Sequence, residues 1–540
     1  MKQHLDYVKE TFTAAEIAVL NKYFTNTDKP VFGLINLPDV VKGALFARYS
    51  RSGKSLRRLF LDEFYKGDAE EEVAVSNAGA DRAASLYDKM ILDFGDDSVA
   101  QLGGAHIACE QVSNVLTKIL EKGRLAAYLE QSTRYVYYNE KIEGRYNYIV
   151  PTEVKGTEAE ADYCAYLDSL FETYTEIQQS IVPLLKEKYP RKENQGERAW
   201  ETTIKAKACD IVRGLLPAAT KSNLGIYGNG QFFEMLLVKM FASRNAEVVQ
   251  YAEMMLEELR KMIPSFLTRV DLEDRGRLWS RYLGNIAQEM KDATASLATP
   301  LAPEAICQQD NEVRLTRWDS DGLDRVLSSA LFEYTQLPEG AIREHLATLS
   351  LEEKISLLRR YAGERSNRRH KPGRAFEQTS YTFEVTSDYG AFRDLQRHRI
   401  LTIEWQKLSP RNGYVLPVEL EEYPELKALY EKALLRVVEV YNAMCSRFGE
   451  EIAQYVIPFA YRLRYEITMN LREAFHFIEL RSQKQGHISY RKVSIDMYRL
   501  ISEAAGHPYF AELMKFVDTH FYDLSREDAE NAKDKRMAKA

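Results

Sequence analysis

Apolar residues at alternate positions mark the clearest predicted strand in the first half of the chain. Ala105, Ile107 and Cys109 lie at every second position, as in a strand that buries one face. Ser113 follows as a helix-capping residue, and the apolar positions then recur with helical spacing up to about residue 120. The pattern predicts a half-buried strand that leads directly into an amphipathic helix.

The same order of elements recurs in the second half. Tyr381, Phe383 and Val385 alternate like a strand, and Ser387 or Asp388 can cap the helix that follows. Each predicted helix runs directly into a basic phrase, so a strand, a helix and an anion-facing loop form the repeated unit. Long amphipathic helices are predicted later in each half, at 247–263 and 427–446, and together these elements indicate an α+β fold.

The basic phrases suggest an internal repeat. The phrase "KGRLAAYLEQSTR" begins at Lys122 and the run "RHR" begins at Arg397, an offset of 275 residues. The segment "GQFFEMLLVK" at 230–239 corresponds in the same order to "REAFHFIELR" at 472–481, an offset of 242. Two tandem copies of one unit explain the shared order.

The predicted domain organisation follows from this repeat. The first copy is predicted at 1–295 and the second at 305–524. The stretch "DATASLATPLAPEA" at 292–305 is rich in small residues and proline and marks the junction. The highly charged segment 525–540 has no periodicity and is predicted to be a tail that frays or forms a solvated helix.

Composition limits the class of protein. The 540 residues are 45% hydrophobic and 28% charged, with a formal net charge of −7. An acidic protein is not expected to bind nucleic acid, so any anion site must be a local basic cluster. The five cysteines form no CxxC pair. This argues against a zinc site and against a disulfide scaffold, and it agrees with a reducing cytosol. No apolar run reaches membrane-spanning length, and we expect a cytoplasmic protein with no membrane partner and no metal.

The run Arg397-His398-Arg399 is the first candidate for such a cluster. Two guanidinium groups and an imidazole can bind a diphosphate, because each guanidinium can bond two oxygens. The alternative is a solvated basic turn paired with nearby acids such as Asp394.

The loop "EQSTRY" at 130–135 is the second candidate. Glu130, Ser132 and Arg134 lie at alternate positions, so in an extended loop their side chains point the same way. They could converge on a nucleotide monophosphate. The alternative is an ordinary strand edge with its polar residues outward.

Taken together, the two phrases resemble the flavin-dependent thymidylate synthases, whose signature reads RHR-x-x-S-x-N-E-x-S-x-R-Y. The second copy matches the opening of the signature, and the first copy matches its ending at Glu130, Ser132, Arg134 and Tyr135. A later arginine pair of the family matches Arg472 and Arg481, whereas the first copy has Gly230 and Lys239 there. The resemblance implies two thymidylate-synthase-complementing-protein-like units, each a mixed or antiparallel sheet with long helices.

The resemblance also implies an oligomer. Family members of about half this length are homotetramers whose active sites combine residues from several subunits. We expect this chain to form a homodimer that imitates that tetramer, with one intact pocket composed from both copies.

The resemblance further implies a reaction and the residues that serve it. The family methylates dUMP to dTMP, with methylenetetrahydrofolate as carbon donor, NADPH as reductant and FAD as cofactor. The expected catalytic residue is Arg481, beside the uracil carbonyl. The remaining implied residues are, for dUMP, Glu130, Ser132, Arg134, Arg472 and Arg481, and, for FAD, Arg397, His398, Arg399 and Arg124.

Two other functions stay open. A related flavoenzyme could modify another nucleotide with the same phosphate sites, because Asp394 stands where the family has a base-contacting glutamine. A non-catalytic nucleotide-binding relic of the family is the alternative from another class, because neither copy carries a complete motif.

Overall fold

The chain is described by a computed structural model that covers residues 10–28, 32, 34–49, 54–65, 101–193, 195–297 and 310–537. Its residues fall into two compact units, which we describe separately. Unit 1 comprises Met1–Cys109, Gly123–Leu129 and Leu224–Ala298, and unit 2 comprises Glu110–Lys122, Glu130–Asn223 and Thr299–Ala540. These units group residues by packing, and much of the predicted first copy lies in unit 2. The domain bounds drawn from the repeat stay a prediction.

The described elements are numbered in chain order. The helices before residue 300 are α1 (Ala14–Tyr23), α2 (Asp39–Tyr49), α3 (Leu56–Leu59), α4 (Asn114–Leu120), α5 (Ala159–Lys188), α6 (Glu197–Val212), α7 (Gly230–Phe241), α8 (Ala246–Met262) and α9 (Gly276–Thr294). The later helices are α10 (Gly322–Phe332), α11 (Glu339–Thr348), α12 (Leu351–Ala362), α13 (Tyr389–Leu395), α14 (Pro424–Leu435), α15 (Val437–Phe448), α16 (Glu450–Ala453), α17 (Leu471–Arg481), α18 (Ile488–Glu503), α19 (Pro508–Leu513) and α20 (Glu527–Met537). The strands are β1 (Gly104–Ser113), β2 (Ala126–Glu130), β3 (Lys221–Asn229), β4 (Glu312–Trp318), β5 (Ser380–Asp388), β6 (Thr402–Trp405) and β7 (Arg462–Asn470). No helix in the described part of the chain has both the length and the apolar character needed to cross a bilayer.

The strands form two sheets, which confirms the predicted α+β class. One sheet has three strands in the order β1-β3-β2, and the other has four in the order β4-β5-β7-β6. Every pairing in the four-stranded sheet is antiparallel. Both strands predicted from alternating apolar residues are present, as β1 and β5.

The predicted helix caps identify where the strands end. The Ser113 hydroxyl accepts a hydrogen bond from the Leu116 amide at 3.0 Å, as predicted. In the second copy, Asp388 and not Ser387 is the cap, because its carboxylate accepts from the Ala391 amide at 2.8 Å. Ser387 lies within β5, where its side chain bonds the Tyr465 hydroxyl. Both caps turn the chain sharply from strand to helix.

Of the two long helices predicted, one is continuous and one is not. The segment predicted at 247–263 forms α8. The segment predicted at 427–446 forms α14 and α15, which are separated at Arg436. Arg436 has φ −63° and ψ −22°, which are the angles of a tighter 3₁₀ turn. The apolar periodicity continues across such a turn, so it gave no sign of the break.

Unit 2 has one large core to which both predicted copies contribute. The buried face of α5 includes Tyr163, Tyr166, Leu170 and Tyr174, and it belongs to the same core as the antiparallel sheet. Burying an apolar side chain such as that of Leu170 contributes roughly 1.5–3 kcal/mol. The core therefore joins the two sequence halves within a single packed unit.

The two copies also pair through their backbones. The Ala218 amide donates to the Ile457 carbonyl at 2.8 Å, and the Phe459 amide donates to the Leu216 carbonyl at 2.9 Å. Pro217 lies opposite Pro458 in this antiparallel pairing. The two prolines are 241 residues apart, close to the offset of the repeat. Corresponding segments that pair with each other in this way imitate the interface of a two-fold symmetric dimer.

The charged C-terminal segment contains a surface helix, α20. Helix α20 packs against α6. Lys192 pairs with Glu527 at 2.7 Å, and Lys484 pairs with Asp528 at 2.5 Å. A helix is one of the two forms predicted for this segment, and its residues 527–534 are half-buried or exposed. Residues 538–540 of the tail and 298–305 of the predicted junction lie outside the described residues.

One hydrogen bond between the copies gives a test of this packing. The Tyr389 hydroxyl donates to the Asn114 carbonyl at 2.7 Å, and both groups are buried. Replacing Tyr389 with Phe removes this hydrogen bond, while the carbonyl still accepts from the Thr117 hydroxyl at 3.2 Å, so we expect the free energy of unfolding to fall by about 0.5–1.5 kcal/mol. Urea denaturation measures the change. The matched control is Tyr334→Phe, because Tyr334 is 74% exposed and its loss of a hydroxyl should change stability by less than about 0.5 kcal/mol. Equal effects of the two variants would contradict this account.

Candidate functional site

Glu130, the last residue of β2, is the centre of a buried ion-pair cluster. Glu130 is only 9% exposed. Arg393 donates to its carboxylate at 2.8 Å, and the Lys118 ammonium lies 3.3 Å from the other oxygen. Arg397 lies 3.7 Å away. At the repeat offset of 275, Lys118 and Arg393 occupy corresponding positions of the two copies. The single carboxylate of Glu130 therefore pairs with one cation from each copy.

The protonation state of Glu130 follows from these neighbours. Burial alone would raise the pKa of Glu130, but the charges of Arg393 and Lys118 outweigh it and lower the pKa to about 2. Glu130 is therefore ionised at neutral pH. It fixes the start of the loop 130–135 against α13.

Arg134 is held in a fixed position by Asp210. Its Nε and Nη2 atoms donate to the two carboxylate oxygens of Asp210, both at 2.6 Å. Its Nη1 atom donates to the Gln485 carbonyl at 3.2 Å. Burial would raise the pKa of Asp210, but Arg134 outweighs it and lowers the pKa to about 2. A guanidinium has five N–H groups, so these three bonds leave Arg134 two with which to bind a ligand.

Arg481, the last residue of α17, is oriented by a chain of hydrogen bonds. Its Nε–H donates to His398 Nε2 at 2.9 Å. His398 Nδ1 lies 3.0 Å from a Glu473 oxygen. Since Nε2 accepts, the proton of the neutral ring is on Nδ1 and is donated to Glu473. Burial, and then the charge of Arg481, lower the pKa of His398 well below its ordinary value, which agrees with a neutral ring.

Glu473 and His476 add a second feature to this chain. The ligand atoms of His398, Glu473 and His476 lie within 4.8 Å of one another. Both nitrogens of His398 are already engaged by Glu473 and Arg481, so the geometry is that of a hydrogen-bonded chain. Burial raises the pKa of Glu473 to about 7. The chain of hydrogen bonds fixes the orientation of the Arg481 side chain.

Arg481, Ser132 and Arg134 line a common cleft of about 480 Å³. This volume lies within the roughly 300–1,000 Å³ of small-molecule sites. The other lining residues are Arg368, Asp394, Leu480, Gln483, Gln485, Gly486, Tyr490 and Arg526. Four guanidinium groups thus face one carboxylate, that of Asp394. Such a cleft is suited to an anion that can bond several guanidinium groups at once.

A smaller cavity of about 50 Å³ adjoins the cleft. Ser132, Arg134 and Asp394 line both spaces. Arg213, at the end of α6, lines the smaller one. Arg213 is buried, its Nη1 lies 3.9 Å from Asp394, and its Nη2 has no hydrogen-bond partner among the described residues. Arg213 was not among the site residues predicted from the sequence. The only available signal was an arginine that ends an otherwise apolar helix face shortly before Pro217.

Comparison with known proteins places the chain in a family. The model of the family described as thymidylate synthase complementing protein matches residues 46–265 and 327–507. The chain belongs to this family. The two matched segments confirm the resemblance stated from the motifs and agree with two tandem copies.

Relatives of this family differ in how much of the chain they match. A UPF0159 protein of Chlamydia muridarum is 37% identical over 94% of this chain and 96% of its own length. A UPF0159 protein of Thermoplasma acidophilum is 33% identical over 91% of this chain and 97% of its own length. A flavin-dependent thymidylate synthase of Thermococcus onnurineus is 26% identical over 36% of this chain and 78% of its own length. The first two match the tandem chain, whereas the third matches about a third of it.

One solved structure resembles part of the chain. It is described as a UMP/dUMP methylase from Streptomyces cacaoi bound with 5-Br dUMP. It is 19% identical, covers 39% of this chain and 97% of its own, and superposes with a TM-score of 0.32. A score that low establishes no common fold.

The remaining motif residues of the family lie apart from the cleft lining. Arg472 donates to the Pro372 carbonyl at 2.9 Å and pairs with Glu377 at 3.2 Å. Arg472 and Arg481 lie nine residues apart, which is two and a half turns, so they lie on opposite sides of α17 and their partners differ accordingly. Arg397 pairs with Asp394 at 2.5 Å and lines the smaller cavity.

The other two residues expected to hold a flavin are exposed. Arg399 follows the buried His398 and is exposed. Arg124 is also exposed and belongs to unit 1. The role of each residue in binding stays a prediction.

The buried cluster around Glu130 predicts a large effect of its removal. Glu130→Gln leaves the buried Arg393 without its carboxylate partner, whereas Lys118 keeps Glu121 at 2.5 Å, and we expect the free energy of unfolding to fall by about 3–5 kcal/mol. Urea denaturation measures the loss. Glu404→Gln is the control, because Glu404 pairs with Lys122 at 2.9 Å with its side chain 70% exposed, and exposed pairs contribute roughly 0–1 kcal/mol. A loss at Glu130 no larger than at Glu404 would refute the central role of the cluster.

The same carboxylates predict how stability depends on pH. Glu130 and Asp210 have folded pKa values of about 2, below the roughly 4 of unfolded chains. Their contribution is therefore complete above about pH 5 and is lost as the pH falls towards 2. We expect the free energy of unfolding to decrease steadily over this window when measured by denaturation at a series of pH values. Glu130→Gln should make the decrease shallower, and an unchanged slope in that variant would contradict the assignment.

Proposed function

We propose that this protein converts dUMP to dTMP, with methylenetetrahydrofolate as carbon donor, NADPH as reductant and FAD as cofactor. The one-carbon unit becomes the methyl group at C5, tetrahydrofolate is released, and NADPH supplies the hydride that the methylene unit requires. Membership in the thymidylate synthase complementing protein family supports the proposal. The cleft that brings together Ser132, Arg134 and Arg481 is the observation that carries it.

The phosphate end of the nucleotide would lie at the loop 130–135. Arg134 keeps two N–H groups for phosphate oxygens while Asp210 prevents the side chain from turning away. The Ser132 side chain accepts from the Arg134 amide at 3.3 Å, and its hydroxyl hydrogen remains available to a phosphate oxygen. The two residues thus offer a rigid and charge-assisted phosphate site.

The base would lie towards Arg481. Its Nε is fixed by His398, and the residue lines the cleft. As C5 of the uracil becomes nucleophilic, negative charge builds on the ring carbonyls, and a preoriented guanidinium stabilises that charge. Burial lowers the pKa of Arg481, because it removes water from around the guanidinium. The negative charge of a bound ring would then stabilise this partly desolvated cation.

The residues predicted for the flavin fit it poorly within unit 2. Arg397 is paired with Asp394 and Glu130, and His398 is buried with both nitrogens engaged. Only Arg399 of the run is exposed. Within the described part of unit 2 the run forms no flavin cradle, so no chemical step is assigned to the flavin. When bound, FAD would supply the electron transfer that links NADPH to the carbon unit.

This poor fit favours a second candidate, a nucleotide-binding protein of the family without catalytic activity. The purified protein separates the two. Enzyme activity is expected to give dTMP from dUMP, with methylenetetrahydrofolate and NADPH present, detected by chromatography, together with the visible absorbance of a bound flavin. Binding of dUMP with neither product nor flavin would support the second candidate, and absence of dUMP binding would refute both.

A conservative change at Arg481 tests the proposed role directly. In Arg481→Lys the positive charge is kept. The lysine lacks the planar pair of donors and the Nε–H that bonds His398. We expect the turnover of dUMP to fall about a hundredfold, the size of effect seen when one preoriented donor is removed. Steady-state kinetics give the measurement. Arg499→Lys is the control, since Arg499 is more than half exposed on α18, and near-normal turnover of Arg481→Lys would remove the assignment.

A further inference from the structure

Arg526 is a buried cation outside the segments that match the family. It directly precedes α20, in the C-terminal segment beyond residue 507 where the second family match ends. The residue is 8% exposed, and it lines the cleft together with Ser132 and Arg134. Its Nε and Nη1 atoms have no hydrogen-bond partner among the described residues. A buried guanidinium with open donors is unfavourable unless something fills them.

The position of Arg526 is fixed from two sides. Its guanidinium carbon lies 4.2 Å from the ring centroid of Tyr135, the last residue of the "EQSTRY" loop. Helix α20 is held by the ion pairs of Lys192 with Glu527 and of Lys484 with Asp528. An aromatic face holds a guanidinium without using its N–H donors. The stacking therefore orients Arg526 and leaves its donors for another group.

The charges near Arg526 point to an anion as that group. Burial, and then the charge of Arg134, lower the pKa of Arg526 to about 9, and Glu530 on the same helix only partly opposes this. Within the described residues, Arg526 forms no ion pair with a carboxylate, whereas Arg134 is paired with Asp210. An anion in the cleft would lie near both guanidinium groups and complete the donors of Arg526.

We propose that the C-terminal segment provides Arg526 as an additional phosphate-binding residue of the cleft. It would bind the nucleotide phosphate together with Arg134, which lines the same cleft. The inference rests on the proposed function for the identity of the nucleotide, but its anion chemistry is independent of that identity. The tail thereby adds a phosphate contact to those that Ser132 and Arg134 of the family motif would make.

Calorimetric titration of the full-length protein tests this role. Arg526→Gln should weaken binding of dUMP about tenfold to a hundredfold, the loss expected for charge-assisted hydrogen bonds. Deoxyuridine, which lacks the phosphate, should bind the variant and the unmodified protein alike. Arg526→Lys should recover part of the dUMP affinity. Lys533→Gln is the matched control, because it removes one positive charge from an exposed position of the same helix and should leave dUMP binding unchanged.

The stability of Arg526→Gln separates phosphate binding from a structural role. Removing a buried cation with open donors should leave the unliganded protein at least as stable in urea denaturation. A variant that is destabilised, and that loses dUMP and deoxyuridine equally, would overturn the inference. Unchanged dUMP affinity in Arg526→Gln would also overturn it, while leaving the proposed function in place.

Inorganic pyrophosphate distinguishes this inference from the proposed function. If the unmodified protein binds pyrophosphate in a manner that requires Arg526 but binds no dUMP, the phosphate site stands and the proposed function fails. If pyrophosphate and dUMP both bind with equal affinity to Arg526→Gln and to the unmodified protein, the role of Arg526 is refuted.

Discussion

The buried carboxylate of Glu130 is the constraint on which the site depends. It comes from the first copy and is shared by Lys118 of the same copy and Arg393 of the second. A charge in the interior is tolerated only when it is closely paired, so neither helix α4 nor α13 can shift without exposing an unpaired cation or anion. The loop 130–135 is thereby set in place, and with it the side chains that line the cleft.

The pairing also explains why the two copies are unequal. At the offset of 275, the position corresponding to Glu130 is Trp405, so the second copy offers no carboxylate there. Lys122, which corresponds to Arg397, lies 4.6 Å from the ring centroid of Trp405 and pairs with the exposed Glu404. A cation in solvent next to an aromatic ring imposes little constraint on the backbone. One copy's motif has become a buried structural centre, and its counterpart has become an ordinary surface contact.

The sequence identified the local elements well because their signals are local. Alternating apolar residues predicted β1 and β5, and a small polar residue at the strand end predicted the cap at Ser113.

The charged partners of the site residues have no such local signal in the sequence. Asp210 lies 76 residues after Arg134, and Glu473 lies 75 residues after His398, so the pairing depends on the tertiary fold. The Arg397-His398-Arg399 run predicted a diphosphate site, but the sequence could not show that Asp394, Glu130 and Glu473 already occupy much of its bonding capacity. Arg526 was missed for a related reason, since it lies in a segment whose helix docks through ion pairs and has no apolar pattern.

These internal pairs divide the arginines of the site into two kinds. Arg134 and Arg397 are bound by carboxylates, which reduces their free donors but removes most of their conformational freedom. Arg481 and Arg526 form no ion pair with a carboxylate among the described residues, and each is oriented by a neutral ring, that of His398 or Tyr135. Binding a ligand to Arg481 and Arg526 costs little conformational entropy, because the rings of His398 and Tyr135 already orient these two side chains.

The cleft residues come from both sides of the junction between the copies. Ser132 and Arg134 precede the junction, whereas Arg481 and Arg526 follow it. Either copy expressed alone would therefore lack half of the cleft, and the fusion of the two is what keeps the donors at one place on a single chain.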